Sequence, residues 1–579
     1  MIKYKNVILS FCFISLLSCG KSNDVIPTNN APENQEENIE TQDPVTGVRI
    51  VWDYITKKII SDPNDTRYNG YARLIQLQDG SLLVTYESHG NTLVKKSMDG
   101  GDNWSAPITV APFSDGVNMA TPDVIQLQDG TILLTYNPRP SATALPIKKF
   151  LIKTILSTDD GLTWQNDQVA YEGDTVFENG VWEPSAIQLP SGEVQLFFSN
   201  ENMYQSSNEQ NISLLRSQDN GLTWTTEPEI ASFRAGSRDG MPSPIYLEDQ
   251  NTLVYSIEDN GTNNSFKPYI IRNTLSENWS ETVTGSSSNR NYALFDPLDD
   301  SEYAGAPYLA RLSTGEVLLS YQGTEKRNGN SIDNADMKVA IGTNSATNFN
   351  RTTTPFIIPE GKSALWNSIA VLDDDTVVAL ATTNAFGSGT SQVWMIKGHI
   401  VPEITVLIGT VDIDGDTFEN SWEQNLPIFI GQKGATNLKA NFLSDTDYLY
   451  LQIKVKDNSV SSLDATTIYL DPQATNYVAP GSGVFKFIIS ATNQISTYEG
   501  FNANWEETTI TGLTTASKNS SNGYIQEVKI PWTALGGNPS SGSRIGYTME
   551  LIERGTANYT ETISTTDKDS PYTWLSLYL

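Results

Sequence analysis

Cysteine is almost absent from this 579-residue chain. The only two, Cys12 and Cys19, sit in the N-terminal apolar stretch, so a body cleaved before Cys19 can hold neither an internal disulfide nor a thiolate metal site. Histidine is as scarce: His89 and His399 alone leave little material for histidine triads or histidine-rich metal centres. Positive charge is also short. Lys and Arg number 37 against 68 Asp and Glu, a net charge of −31, whereas binding nucleic acid normally requires a positive field. The same balance disfavours acidic polysaccharides unless arginines gather locally. Long apolar runs are missing apart from VILSFCFISLLS, too short for an ordinary transmembrane span.

That run follows Lys3 and Lys5 and ends in Leu16-Leu17-Ser18-Cys19-Gly20, which resembles a bacterial lipobox. Residues 1–19 read as a lipoprotein signal peptide, with Cys19 as the lipidated first residue and membrane attachment through it. The plain alternatives are a single spanning anchor or an ordinary signal peptide. The expected location is the cell envelope, on the outer membrane, facing the periplasm or the surface. Residues 20–46, rich in Asn, Pro, Glu, Gln and Thr, read as a disordered tether.

What the chain has in abundance is repetition. Ser-x-Asp-x-Gly-x-x-Trp occurs at 97–104, 157–164 and 217–224, at equal intervals, the mark of a repeat architecture. In each box the Asp can accept backbone N–H groups in a tight turn, the Gly permits positive φ and the Trp packs inward. These are scaffold residues. A second repeat gives the blade count: RLIQLQDGSLLVTYE (73–87) has counterparts beginning at 123, 185, 243, 308 and 368, each read as strand, two-residue turn and strand. Six hairpins predict a six-bladed β-propeller over 47–401, with VRIVWDYITKKII (48–60) closing the ring as the outer strand of blade six.

Composition shifts after His399-Ile400, and 404–579 reads as a β-sandwich; alternation in Tyr448–Val455 predicts a half-buried strand. VDIDGDTFENSWEQ (411–424), ANFLSDTDYLYLQIKVKD (440–457) and GYIQEVKIPWTALG (523–536) resemble the carbohydrate-binding module family 9-like sandwich. Trp505 and Tyr498 are candidates there for a sugar-stacking platform, or else ordinary core aromatics. The acidic run Asp412, Asp414 and Asp416 reads as a solvated turn, with a calcium site in either domain as the alternative, and no cofactor is implied.

Propeller chemistry belongs at the channel mouth, where inner strands converge. Aligning the hairpins places Tyr71, Thr121, Glu183, Met241, Ala306 and Trp366 two residues before the strand starts Arg73, Asp123, Ser185, Ser243, Tyr308 and Ser368. Period-two alternation puts both sets on one side. The second strands end in Glu87, Asn137, Ser199, Glu258, Gln322 and Thr382. Glycoside hydrolysis needs two carboxyl groups, one protonated and one ionised. Glu183 and Glu258, from neighbouring blades, form the preferred pair. Trp182 and Pro184 around Glu183 favour a desolvated carboxyl.

NGVWEPSAIQLPSGEVQLFFSNE (179–201), SRDGMPSPIYL (237–247), VYSIED (254–259) and YARLIQLQDGSLLVTYE (71–87) resemble glycoside hydrolase family 93, six-bladed propellers of the sialidase clan that act as exo-α-L-arabinanases. The resemblance implies that Glu183 and Glu258 are the catalytic pair of a retaining mechanism, in the order nucleophile and acid/base, although the Trp-Pro setting of Glu183 suits an acid. Arg73, Asp123, Glu201, Arg238, Asp239, Tyr308 and Trp366 are the candidate substrate-binding residues, the partner being a polysaccharide or oligosaccharide. An exo-α-sialidase is the nearest alternative, requiring three convergent arginines from among Arg73, Arg238, Arg272 and Arg311. A non-catalytic, lipid-anchored glycan-binding protein is the alternative of another class.

Overall fold

A computed structural model describes residues 45–579 except 263, 388, 416–421, 423–427, 432–435, 476, 478, 541, 556–557 and 564–565. The lipobox, Cys19 and the tether up to residue 44 lie outside the described residues.

The first body is a ring of six antiparallel sheets. Its inner strands are Asn69–Gln76, Val117–Gln126, Val181–Gln188, Asp239–Leu247, Ala304–Arg311 and Ala364–Val371. Each packs against the next, and the last against the first, so the ring is closed. As the sequence predicts, closure is made by the N-terminal segment. Val45–Ile59 pairs antiparallel with Gln392–Thr405 and becomes the outer strand of blade six. Ile50 and Trp52 from it join the core between blades five and six.

The boxes fold as their composition demands. In the second, Gly161 at φ 85° presents its N–H to Ser157 Oγ at 2.9 Å, and Asp159 accepts the Thr163 N–H at 2.8 Å. Trp164 lies against the neighbouring blade core, with Leu83 beside Gly161. The hairpins differ from the expected two-residue turns. In blade one Leu77 N–H reaches Ser81 O at 2.8 Å, leaving a three-residue loop that ends in left-handed Gly80, a type I turn with a bulge.

The sandwich holds a second core between its two sheets, with Phe442, Leu451, Ile468 and Tyr547 fully buried. Tyr448–Lys456 is more buried than its alternation predicts. A small cluster of Val411, Trp422 and Leu443 covers Tyr450 on the other face, and Gln452 is also fully buried. The bodies share a sheet, since the final strand Leu575–Tyr578 pairs with both Arg544–Glu553 and the end of Gln392–Thr405.

Candidate active site

All six inner strands break register at the same place, and the six residues at the break, Tyr71, Thr121, Glu183, Met241, Ala306 and Trp366, have positive φ between 44° and 54°. These are left-handed bulges, repeated round the ring, and they turn side chains into the channel mouth. In four blades a proline follows, Pro122, Pro184, Pro242 and Pro307, where the interrupted ladder requires no N–H. The bulge, rather than plain alternation, brings both aligned sets to one cavity lined by Tyr71, Arg73, Asp123, Glu183, Ser185, Met241 and Tyr308.

Five of the six bulge N–H groups are caught by the preceding blade. Tyr71 N–H goes to Thr382 Oγ1 at 2.9 Å, Met241 N–H to Ser199 Oγ at 3.0 Å, and Trp366 N–H to Gln322 Oε1 at 2.6 Å. Thr121 uses Glu87, and Ala306 donates to Glu258 Oε2 at 2.9 Å. Glu258 therefore fills an acceptor position of the ring while its other oxygen stays available.

The two preferred carboxyl groups have opposed surroundings. Glu258 is pushed up to about 7, first by burial and then by the charge of Glu183, against the Ala306 N–H and Arg238, which favour ionisation. Near neutrality the acid form is therefore still substantially populated. Glu183 is the anionic member of an ion pair: Arg139 Nη2 donates to its Oε1 at 2.8 Å. Arg139 is itself fixed by Asn137 Oδ1 at 2.6 Å and by stacking 4.9 Å from the Trp182 ring centre. Above them opens a cleft of about 280 Å³, lined by Tyr68, Tyr71, Glu87, Asn118, Thr121, Arg139, Glu183 and Trp366.

Arg139 was missed by the sequence reading. It lies in Pro138-Arg139-Pro140, beyond the repeated hairpin, where Ile132–Pro140 outruns the other second strands and no copy exists to align. The extra length, with a lone Arg between two prolines, was the available signal.

The other candidates divide. Arg73 is buried between the rings of Tyr71 and Tyr308, at 4.0 and 4.8 Å. Asp123 accepts from Ser185 Oγ at 2.5 Å and from Tyr308 Oη at 3.3 Å, and burial raises its carboxyl. Together they line the small central cavity. Glu201 pairs with Arg238 and accepts from Trp182 Nε1 at 2.8 Å; burial raises it too. Trp366 lies on the cleft wall.

Asp239 departs from expectation. It is fully buried, and Arg290 grips it at 2.5 and 2.8 Å together with Asp259 at 2.6 Å. Asp239 pairs with Asp259, the residue after Glu258, so both point to the face opposite the cleft and brace the strands instead of meeting substrate. The arginines of the sialidase alternative do not converge. Arg272 donates to Ser345 and Ala346 carbonyls and Arg311 to Asp249, at the hairpin ends away from the bulges.

In the sandwich Trp505 is partly exposed, donates to Asp569 Oδ1 at 2.8 Å and leans on Tyr469, while Lys486 lies 5.0 Å from the Tyr498 ring centre. Among the described residues, carboxylates that could hold a cation gather at Asp457, Asp464 and Glu553, buried and within 4.8 Å of one another. They are not in the acidic turn, where Asp416 lies outside the described residues.

The family description "Carbohydrate family 9 binding domain-like" matches residues 413–576. Endo-1,4-beta-xylanase A of Thermoanaerobacterium saccharolyticum is 26% identical over 199 residues, 32% of this chain, which spans only 16% of that enzyme. Among solved structures, a Dyadobacter fermentans protein of unknown function aligns with 62% of this chain and 100% of its own, at 16% identity and TM-score 0.47. The GH93 α-L-arabinofuranosidase of Fusarium graminearum, solved with arabinobiose, aligns with 59% of this chain and 97% of its own, at 18% identity and TM-score 0.44.

Proposed function

We propose that this protein is a retaining glycoside hydrolase that releases α-L-arabinofuranosyl units from the ends of a polysaccharide, with Glu258 as acid/base and Glu183 as nucleophile. The observation that carries the reading is the opposition of the two carboxyl groups: one raised to about 7 by burial, one ion-paired with Arg139 beside the cleft. Glu258 gives its proton to the glycosidic oxygen as that bond breaks, and the Glu183 carboxylate bonds to the anomeric carbon. Water then attacks the same carbon, Glu258 takes its proton, and Glu183 is freed. The order agrees with the family 93 resemblance. Within its Trp-Pro setting Glu183 has a cation of its own in Arg139, which suits the nucleophile's role.

The sugar class rests on the family 93 resemblance in sequence, and the match at 413–576 supports a saccharide partner for the sandwich. Lipidation at Cys19 would hold both bodies at the outer membrane, and loss of fatty-acid labelling in Cys19→Ala tests it. The hydrolase reading is tested with the soluble chain from residue 45 onward, given debranched arabinan beside sialyllactose. Arabinose or arabinobiose supports it. Free sialic acid would favour the sialidase alternative, and glycan retention without any product the binding protein.

A further inference from the structure

Behind Glu258, three residues before the Ala306 bulge, stands Tyr303, the counterpart of Tyr68 three residues before the Tyr71 bulge of blade one. Its backbone is pinned on both sides by Thr324: its N–H donates to Thr324 Oγ1 at 2.9 Å and its carbonyl accepts the Thr324 N–H at 2.9 Å. The loop before it is anchored from below by buried Lys267, whose Nζ donates to the Glu302 carbonyl. Tyr303 is thus held rigidly.

Its hydroxyl proton has a defined direction. Gln322 Oε1 accepts the Trp366 backbone N–H at 2.6 Å, and a backbone N–H can only donate, so that side of the amide is oxygen. The other side is therefore NH₂, and it donates to Tyr303 Oη at 2.7 Å. Tyr303 accepts from Gln322 and must direct its own proton elsewhere.

Glu258 lies across Gly305 from Tyr303, and the two form no hydrogen bond in this structure. A Cβ on Gly305 would sit 2.5 Å from Glu258 Oε2 and would strike the Tyr303 hydroxyl as well, so the two groups flank one gap that only glycine leaves open. The charge of Glu258 also helps to hold the phenol protonated, second to burial. The other charged groups that reach Glu258 are Glu183 and Arg238. Asp239, Asp259 and Arg290 lie on the opposite face of the strand pair.

We infer that Tyr303 is a positioning residue for Glu258: its hydroxyl donates a hydrogen bond to the Glu258 carboxylate in the interval after Glu258 has given up its proton and before water returns one. This rests on the acid/base role proposed above. A donor to the charged form eases proton release, so its removal makes Glu258 a weaker acid.

The test is Tyr303→Phe, which deletes only the hydroxyl, read by ¹³C NMR titration of glutamate-labelled protein, with Glu258→Gln identifying the resonance. Wild type should titrate near 7, and the variant higher by about one pH unit. An unchanged midpoint in a variant with native thermal unfolding overturns the inference. Because this readout needs no turnover, it is separate from the hydrolase reading, which fails if Glu258→Gln hydrolyses debranched arabinan as fast as wild type. If Tyr303→Phe does not fold, fluorotyrosine incorporated at position 303 gives the second reading. Its more acidic phenol is a stronger donor, so the Glu258 midpoint should fall, and an unchanged midpoint overturns the inference.

Discussion

At the scale of single residues the proposed chemistry rests on two carboxyl groups and the cation between blades two and three. Arg139→Met removes the ion partner of Glu183 while keeping bulk against Trp182. Loss of a charged hydrogen bond of this kind is worth about 1.5–3 kcal/mol, so kcat/KM should fall roughly 10- to 100-fold on a productive substrate. Steady-state kinetics of the refolded variant checks it. Glu258 adds a pH signature. Its carboxyl is raised in the folded chain, so its contribution to stability is complete below its ordinary value near 4.5 and is lost as pH rises through about 7. Glu258→Gln cannot ionise, yet keeps an acceptor for the Ala306 N–H, as Gln322 does for Trp366 in the next blade. The variant should therefore lose less Tm than wild type between pH 5 and pH 8, measured by calorimetry in matched buffers.

At the scale of elements the bulged inner strand decides where side chains go. Gly305→Ala would place a methyl against Glu258 Oε2 and Tyr303. We expect it to fold, since a single methyl at the rim leaves the blade core untouched, and to lose most of its turnover, checked by unfolding and rate side by side. Gly161→Ala, in a box turn at φ 85° with Leu83 pressed close, should instead cost about 1–2 kcal/mol of stability and spare the rate. Much of this was legible in the chain. Boxes and hairpins repeat because each blade solves the same packing problem, so alignment of copies picked out Glu183, which lines the cavity, and Glu258, which accepts the next blade's bulge N–H. Asp239 was misplaced because a carboxylate at an aligned position looks alike whichever face it takes, and only its pairing with Asp259 reveals the face. Arg139 stands outside the repeated unit, where comparison between blades offers nothing to compare, and Tyr303 has a tyrosine counterpart in one blade alone, Tyr68 of blade one.

At the scale of the whole molecule, closure by the N-terminal strand makes the ring depend on its first residues. A chain beginning at residue 61 leaves the Gln392–Thr405 edge unpaired and strips Ile50 and Trp52 from the core. It should lose its cooperative thermal transition, while a chain beginning at residue 45 keeps it. The net charge of −31 suits a neutral glycan better than an anionic one, and the arginines near the cleft are already engaged with Glu183 and Glu201. The most direct measurement is hydrolysis of debranched arabinan followed by ¹H NMR, for wild type, Glu183→Ala and Glu258→Gln together. The account predicts release of the retained α-anomer by wild type and none by either variant. Undiminished release by either variant, or first appearance of the inverted anomer, would contradict it.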